Sequence, residues 1–141
     1  MKKFLNKIII VLCFSVILTG CSGAADYKVI LNNDYYIAKT SAHNAKIYKI
    51  ENKDTSGKAP SIPTYHGNDE DYEKESVIKV GQDDRYIIAQ TSINKYYILD
   101  TKEESVMEFL SKDEFDLKKK DLKISNIKLK DLDEYKKEND L

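Results

Sequence analysis

Tyr35-Tyr36-Ile37-Ala38-Lys39-Thr40-Ser41 returns 51 positions later, from 35 to 86, as Tyr86-Ile87-Ile88-Ala89-Gln90-Thr91-Ser92. Tyr35/Tyr86, Ile37/Ile88, Ala38/Ala89, Thr40/Thr91 and Ser41/Ser92 coincide, and so do Ile47 and Ile98 further on. The same offset carries the first copy back to Tyr27-Lys28-Val29 and the second to Ile78-Lys79-Val80, without a gap. A shared Ala-x-Thr-Ser core at fixed spacing reads as a structural repeat. Isoleucine, valine, tyrosine and threonine dominate both copies, and these side chains suit a pleated, partly buried surface.

Turn residues divide each copy into three short strands. Asn32-Asn33-Asp34 and Gln82-Asp83-Asp84 separate the first two, and Ser41 to Asn44 or Ser92 to Lys95 separate the next two. Connections this short cannot make parallel crossovers, so the strands are antiparallel. Asp100 to Glu104 reads as a further turn ahead of a strand at Ser105 to Phe109. Thr101 and Glu104 also fit a capping box that would start a helix there, and strand is favoured. Ser111-Lys112-Asp113-Glu114 is the better capping box. It opens a helix to about Leu122 whose Phe115 and Leu122 face the sheet, with Lys118-Lys119-Lys120 on its solvated side near the C-terminus. Ile127 and Leu129 read as a short extended piece, and Asp131 to Glu138 as a terminal helix. The expectation is an α+β fold, mainly β: an antiparallel meander sheet from two repeated three-strand units, with a C-terminal helix packed on it. A single domain spans 27–141, with helices near 112–122 and 131–138.

Between the copies, Glu51 to Glu75 holds both prolines, Gly57, Gly67 and the acidic Asp69-Glu70-Asp71. A polar stretch of this length is either a lid or a mobile loop, and the composition favours a mobile loop at 52–75.

Ahead of the repeat, Lys2, Lys3 and Lys7 precede an apolar run from Ile8 to Leu18. About 20 apolar residues are needed to span a bilayer, and this run falls short before the chain turns polar. The order is that of an export signal over residues 1–20. Leu18-Thr19-Gly20-Cys21 at its end resembles a bacterial lipoprotein signal. That resemblance implies cleavage before Cys21, diacylglyceryl (palmitate-type) modification of its sulfur and a lipid-anchored location on the extracytoplasmic face of the cell membrane. Two or more acyl chains, at about 0.8 kcal/mol per buried methylene, anchor durably. The tether, residues 21–26, reaches on the order of 15–20 Å, which holds the domain against the headgroups.

Charge excludes one class of partner. Residues 1–20 contribute three lysines and no acids, so the overall 23 basic and 24 acidic residues become a formal −4 beyond them. Lysines and acids interleave along the chain, with no basic face for a phosphate backbone, so nucleic acid is not expected. Cys13 lies in the signal and Cys21 carries lipid, which leaves no thiols for a disulfide.

Catalytic and metal constellations are thin. His43 and His66 are the only histidines, too few for a zinc site without recruited carboxylates. Ser41 and His43 fall in a predicted turn, where hydroxyls bond their own backbone; a nucleophile with its base would need converging side chains and an oxyanion hole. Ser56-Gly57-Lys58 lacks the upstream glycine of a phosphate loop, and Asn68 to Asp71 lacks the register of a calcium loop. No cofactor and no metal are expected. The tyrosines stand apart. Adjacent pairs Tyr35/Tyr36 and Tyr96/Tyr97 put aromatics on both faces of their strands, so some line the core while Tyr36, Tyr96 and Tyr97 are candidates for an outer binding face.

The mature chain resembles an uncharacterised, domain-of-unknown-function family of short lipoproteins from Gram-positive bacteria. The resemblance rests on Asp26-Tyr27, the Tyr-x-Ile-x-x-Thr-Ser-Ala-His stretch from Tyr35 to His43, and Asp84-Arg85-Tyr86-Ile87-Ile88-Ala89. It continues through Tyr97-Ile98-Leu99-Asp100-Thr101, Glu114-Phe115 and Ile127-Lys128-Leu129-Lys130-Asp131. Gln82 departs from an expected aromatic, and Thr64 to Ser76 looks inserted. The resemblance implies location and a single domain, and brings no activity. The function expected is therefore a non-catalytic binding module at the cell envelope, with membrane lipid held through Cys21 and an envelope protein or cell-wall component as partner. An immunity-type lipoprotein that captures a toxin at the membrane is the alternative. An enzyme is disfavoured because no acid/base or nucleophile set stands out.

Overall fold

A computed structural model describes residues 26–41, 43–50, 60–65 and 70–139. The signal at 1–20, Cys21 and the rest of the tether up to residue 25 lie outside the described residues, as do 51–59 and 66–69 of the connection between the copies.

Each copy folds as an antiparallel meander. The first gives β1 (Tyr27–Ile30), β2 (Tyr35–Ser41) and β3 (Asn44–Lys49); the second gives β4 (Val77–Gln82), β5 (Tyr86–Thr91) and β6 (Tyr96–Asp100). Their central hairpins share one register. Tyr35 opposes Lys49 and Ile37 opposes Ile47 in the first, while Tyr86 opposes Asp100 and Ile88 opposes Ile98 in the second. The repeat is thus one of backbone pairing as well as of sequence.

The two units form separate sheets and do not run on into one. β1-β2-β3 is a three-stranded sheet; the second unit is widened to five strands in the order β7-β6-β5-β4-β8, with β7 at Ser105–Phe109 and β8 at Lys130–Asp131. On the other edge of β3, the described residues make an isolated bridge. Ile62 exchanges both backbone hydrogen bonds with Ile47, at 2.8 and 3.0 Å, and its side chain is fully buried. So part of the 52–75 connection lies in the core. A short helix, α1 (Glu70–Lys74), follows just before β4.

Stacking of the sheets explains the burial. Val29, Tyr35, Ile37, Ala45 and Ile47 of the first sheet pack against Val80, Ile87, Ala89, Tyr97 and Leu99 of the second. The other face of the second sheet carries Tyr86, Ile88 and Ile98, which are covered by Phe115, Ile124 and Ile127. Phe115 belongs to α2 (Lys112–Asp121), whose N-cap Ser111 accepts a hydrogen bond from the Glu114 N–H at 3.2 Å through its side chain. The last helix, α3 (Leu132–Asn139), sends Leu132 and Tyr135 into the first core. The layers run sheet, sheet, helix. Packing of Ile87 and Ile88 on opposite sides of the middle layer stabilises each by about 1.5–3 kcal/mol relative to exposure.

Two further contacts lock the layers. Equivalent turns of the copies meet: Asn32 Nδ2 donates to the Asp83 carbonyl at 2.6 Å and Asn33 Nδ2 to the Asp84 carbonyl at 2.8 Å. Asn33 and Asp34 have φ of 54° and 66°, a region that asparagine and aspartate enter more readily than other side-chain-bearing residues. On the far edge the C-terminal segment crosses β4 so closely that a Cβ on Gly81 would lie 2.2 Å from the Lys128 carbonyl oxygen. Only glycine fits there.

Candidate functional site

The outward face of the first sheet is where side chains gather with only α1 against them among the described residues. On β2, Tyr35 and Ile37 are buried while Tyr36, Ala38 and Thr40 alternate to the other side. Pairing then places Ile30, Tyr36 and Tyr48 in one cross-strand row and Lys28, Ala38 and Lys46 in the next. Ile30 is 59% exposed. The Tyr36 and Tyr48 rings stand 5.8 Å apart, tilted by 41°, and the Lys28 ammonium sits 3.9 Å over the Tyr36 ring.

Helix α1 extends this strip. Lys46 donates to the Tyr72 carbonyl at 2.9 Å with its ammonium 3.4 Å from the Tyr72 ring centroid, and Tyr72 meets Tyr65 edge-on at 5.2 Å. Burial lowers the Lys46 pKa, against the opposing pull of Glu73 and Glu75. The Tyr48 hydroxyl is pushed up to about 12, by burial first and then by its hydrogen bond with Tyr72. It therefore stays protonated near neutral pH. The four tyrosines present apolar ring surface with hydroxyl tips, flanked by two ammonium groups held over rings. Such a surface can bind.

The three tyrosines expected on one outer face fall in three different places. Tyr36 is on the strip just described. Tyr96 lies on the opposite side of the second sheet, its ring 5.1 Å from Phe115, and its hydroxyl accepts from Gln90 Nε2 at 3.4 Å. Tyr97 is fully buried between the sheets, which removes it from any binding surface. Its hydroxyl lies 2.9 Å from Glu75 Oε1 and 3.2 Å from Glu108 Oε2, and the Lys95 ammonium lies 3.7 and 3.0 Å from the same two carboxylates. Burial, then the Glu75 hydrogen bond, raises the Tyr97 pKa strongly. The reason for the correction is that the second copy is covered on both faces, so neither side of β6 is an outer one.

Tyr48, Tyr72, Tyr65 and Lys28 are the residues that the single chain did not single out. For Tyr48 a signal was present in the repeat. Tyr36 and Tyr48 stand where the second copy has Ile87 and Leu99, so one copy keeps polar tips at positions that the other fills with hydrocarbon. The remaining candidates separate. His43 is exposed in the β2–β3 turn, where its N–H donates to Ser41 Oγ at 3.3 Å. Cys21 and His66 lie outside the described residues. Among the described residues, no group of three or more His, Cys, Asp and Glu side chains is placed to hold a metal ion. Among the same residues, no helix is long and apolar enough to cross a membrane.

Residues 32–133 match a family model described as "Protein of unknown function (DUF3997)". The chain belongs to that family. The DUF3997 match runs from the Asn32 turn to the first turn of α3, so it takes in most of both copies, α2 and β8. Tyr36, Tyr48, Tyr65 and Tyr72 all fall inside it, and Lys28 and Ile30 precede it. No curated protein and no solved structure matches the chain.

Proposed function

We propose that this chain is a non-catalytic binding module, held at the extracytoplasmic face of the cell membrane by an acylated Cys21, that takes an envelope protein on the outer face of its first sheet. One observation carries the binding reading. The positions that the second copy buries in the sheet–sheet interface, Ile87 and Leu99, are in the first copy the half-exposed Tyr36 and Tyr48, with Ile30 beside them. A face built to the same pattern is covered in one copy and open in the other, and tyrosine suits a surface that is covered only part of the time. The anchoring half rests on the basic start, the apolar run and Leu18-Thr19-Gly20-Cys21.

The two halves are tested separately. A photo-crosslinker at Ile30 in living cells should capture a defined partner, and Tyr36→Ala with Tyr48→Ala should abolish that capture in a domain that still unfolds cooperatively above the growth temperature. Capture of the same proteins from a crosslinker at Lys137, or capture indifferent to both substitutions, rules the face out. For the anchor, Cys21→Ala should release the domain into the medium; a variant that still sediments with membranes rules out the lipid.

A further inference from the structure

On the far side of the second sheet, away from the tyrosine strip, α2 and the segment that follows it line a half-open cavity of about 420 Å³. Lys112, Lys119, Lys120 and Lys128 border it together with the Asp116 carboxylate, and Phe115 and Leu129 form its apolar side. Residues 112–130 carry seven lysines and four acids, so the charge here runs against the acidic balance of the chain as a whole. Among the described residues, Lys112 is paired with Asp116, and Lys119, Lys120 and Lys128 have no ion pair.

Lys119 is the unusual member. Only 8% of the residue is exposed, and its ammonium donates one hydrogen bond, to the Ile127 carbonyl at 2.7 Å. The same ammonium stands 5.5 Å from the Phe115 ring centroid; an ammonium carries three donors, and a buried charge is costly where no hydrogen-bonded counter-ion meets it. Burial lowers its pKa, and the charges of Lys128 and Lys112 add to that against Asp116. A bound anion would act in the opposite direction, favouring the charged ammonium.

We infer that this cavity binds a phosphate-bearing ligand. Several ammonium groups around one space suit an anion with several oxygens, and lysine is a regular phosphate partner acting as a point charge. The partly exposed Leu129 offers the group attached to the phosphate an apolar contact. A soluble phosphate ester and a phospholipid headgroup share this chemistry.

Isotope-labelled full-length chain titrated with glycerol phosphate tests it. The expected result is saturable movement of the Lys119 and Ile127 amide signals at constant ionic strength, with affinity falling about tenfold in Lys128→Gln. Lys119→Met should abolish the response; because it also removes a buried hydrogen bond, the exposed Lys128→Gln keeps the test valid if Lys119→Met does not fold. Vesicles of phosphatidylglycerol and of phosphatidylcholine form the second arm, comparing the parent chain with Lys128→Gln so that any anchor contributes equally to both. Movement with glycerol phosphate alone identifies a soluble phosphate, and movement that needs phosphatidylglycerol vesicles identifies a headgroup. Linear, unsaturated shifts that also appear at Lys28 and Lys137, or an affinity unchanged in Lys128→Gln, would overturn the site.

Discussion

The two copies of the repeat share strand order and central register yet differ in what lies on either side of them. The second is enclosed: burial along β5 is nearly continuous, and both Ile87 and Ile88 are fully buried. The first is two-faced, with Ile37 fully buried and Tyr36 half-exposed one residue away. Their edges differ as well, since β6 gains a full partner in β7 where β3 gains a single bridge at Ile62. One backbone pattern therefore serves as a core layer in one place and as a surface in the other. The side chains at equivalent positions decide which.

Substitutions at matched positions put that contrast at risk. The largest gap is expected for Ile87→Ala, which should cost about 2–5 kcal/mol in urea unfolding, as buried isoleucines do. Its counterpart Tyr36→Ala should cost about 1 kcal/mol or less. Equal losses would mean that the first sheet's outer face is covered after all. Next, Gly81→Ala should destabilise by about 1–3 kcal/mol, because the obstructing atom is the Lys128 backbone carbonyl. At the matching position of the first copy, Ile30→Ala should stay within about 0.5 kcal/mol.

Asp100 and Lys49 form a third pair. The Asp100 carboxylate meets Arg85 Nη2 at 2.6 Å and accepts from the Lys102 and Glu103 N–H groups, whereas Lys49 pairs with Glu104 at the surface. Asp100→Asn should cost about 1.5–3 kcal/mol, and Lys49→Gln no more than about 1 kcal/mol. The Arg85 hydrogen bonds hold the Asp100 carboxyl below the usual carboxylate range. Its contribution is therefore present above about pH 4 and is lost as pH falls through the depressed value, so Asp100→Asn should flatten the acid limb of the stability profile. A parallel downward shift of the whole profile would show that the carboxylate does not act through its charge.

A fourth pair sharpens the contrast inside the core. Tyr97→Phe removes a hydroxyl that bonds buried Glu75 and should cost about 1–3 kcal/mol. The Tyr35 hydroxyl is buried with no hydrogen-bond partner among the described residues, and burial followed by Glu104 pushes its pKa up to about 12. Tyr35→Phe should be neutral or gain up to about 1 kcal/mol in thermal melts. A clear loss would point to a partner for Tyr35.

What the sequence carried was local and periodic. Strands, turns and the Ser111 cap follow from residues within a few positions of one another. The choice of strand for Ser105–Phe109 has a local reason too, because Glu104 takes φ 51° and cannot serve as the third residue of a starting helix. Which face of each copy is covered is a different kind of fact. In β6 almost every position is apolar, so alternation cannot say which side meets the other sheet, and Tyr97 reads the same on either side until the layers are stacked. For the first copy the polar tips of Tyr36 and Tyr48 were visible, but their meaning depends on Ile87 and Leu99 sitting at an interface. Tyr72 joins the strip only through the α1 helix, which no pattern in the 52–75 connection announced.

The covering of Ile88 and Ile98 by Phe115 to Ile127 also makes the C-terminal third a shield against self-association. A polypeptide truncated after Leu110 would leave that greasy β-surface bare and should clump, whereas the intact chain stays dispersed.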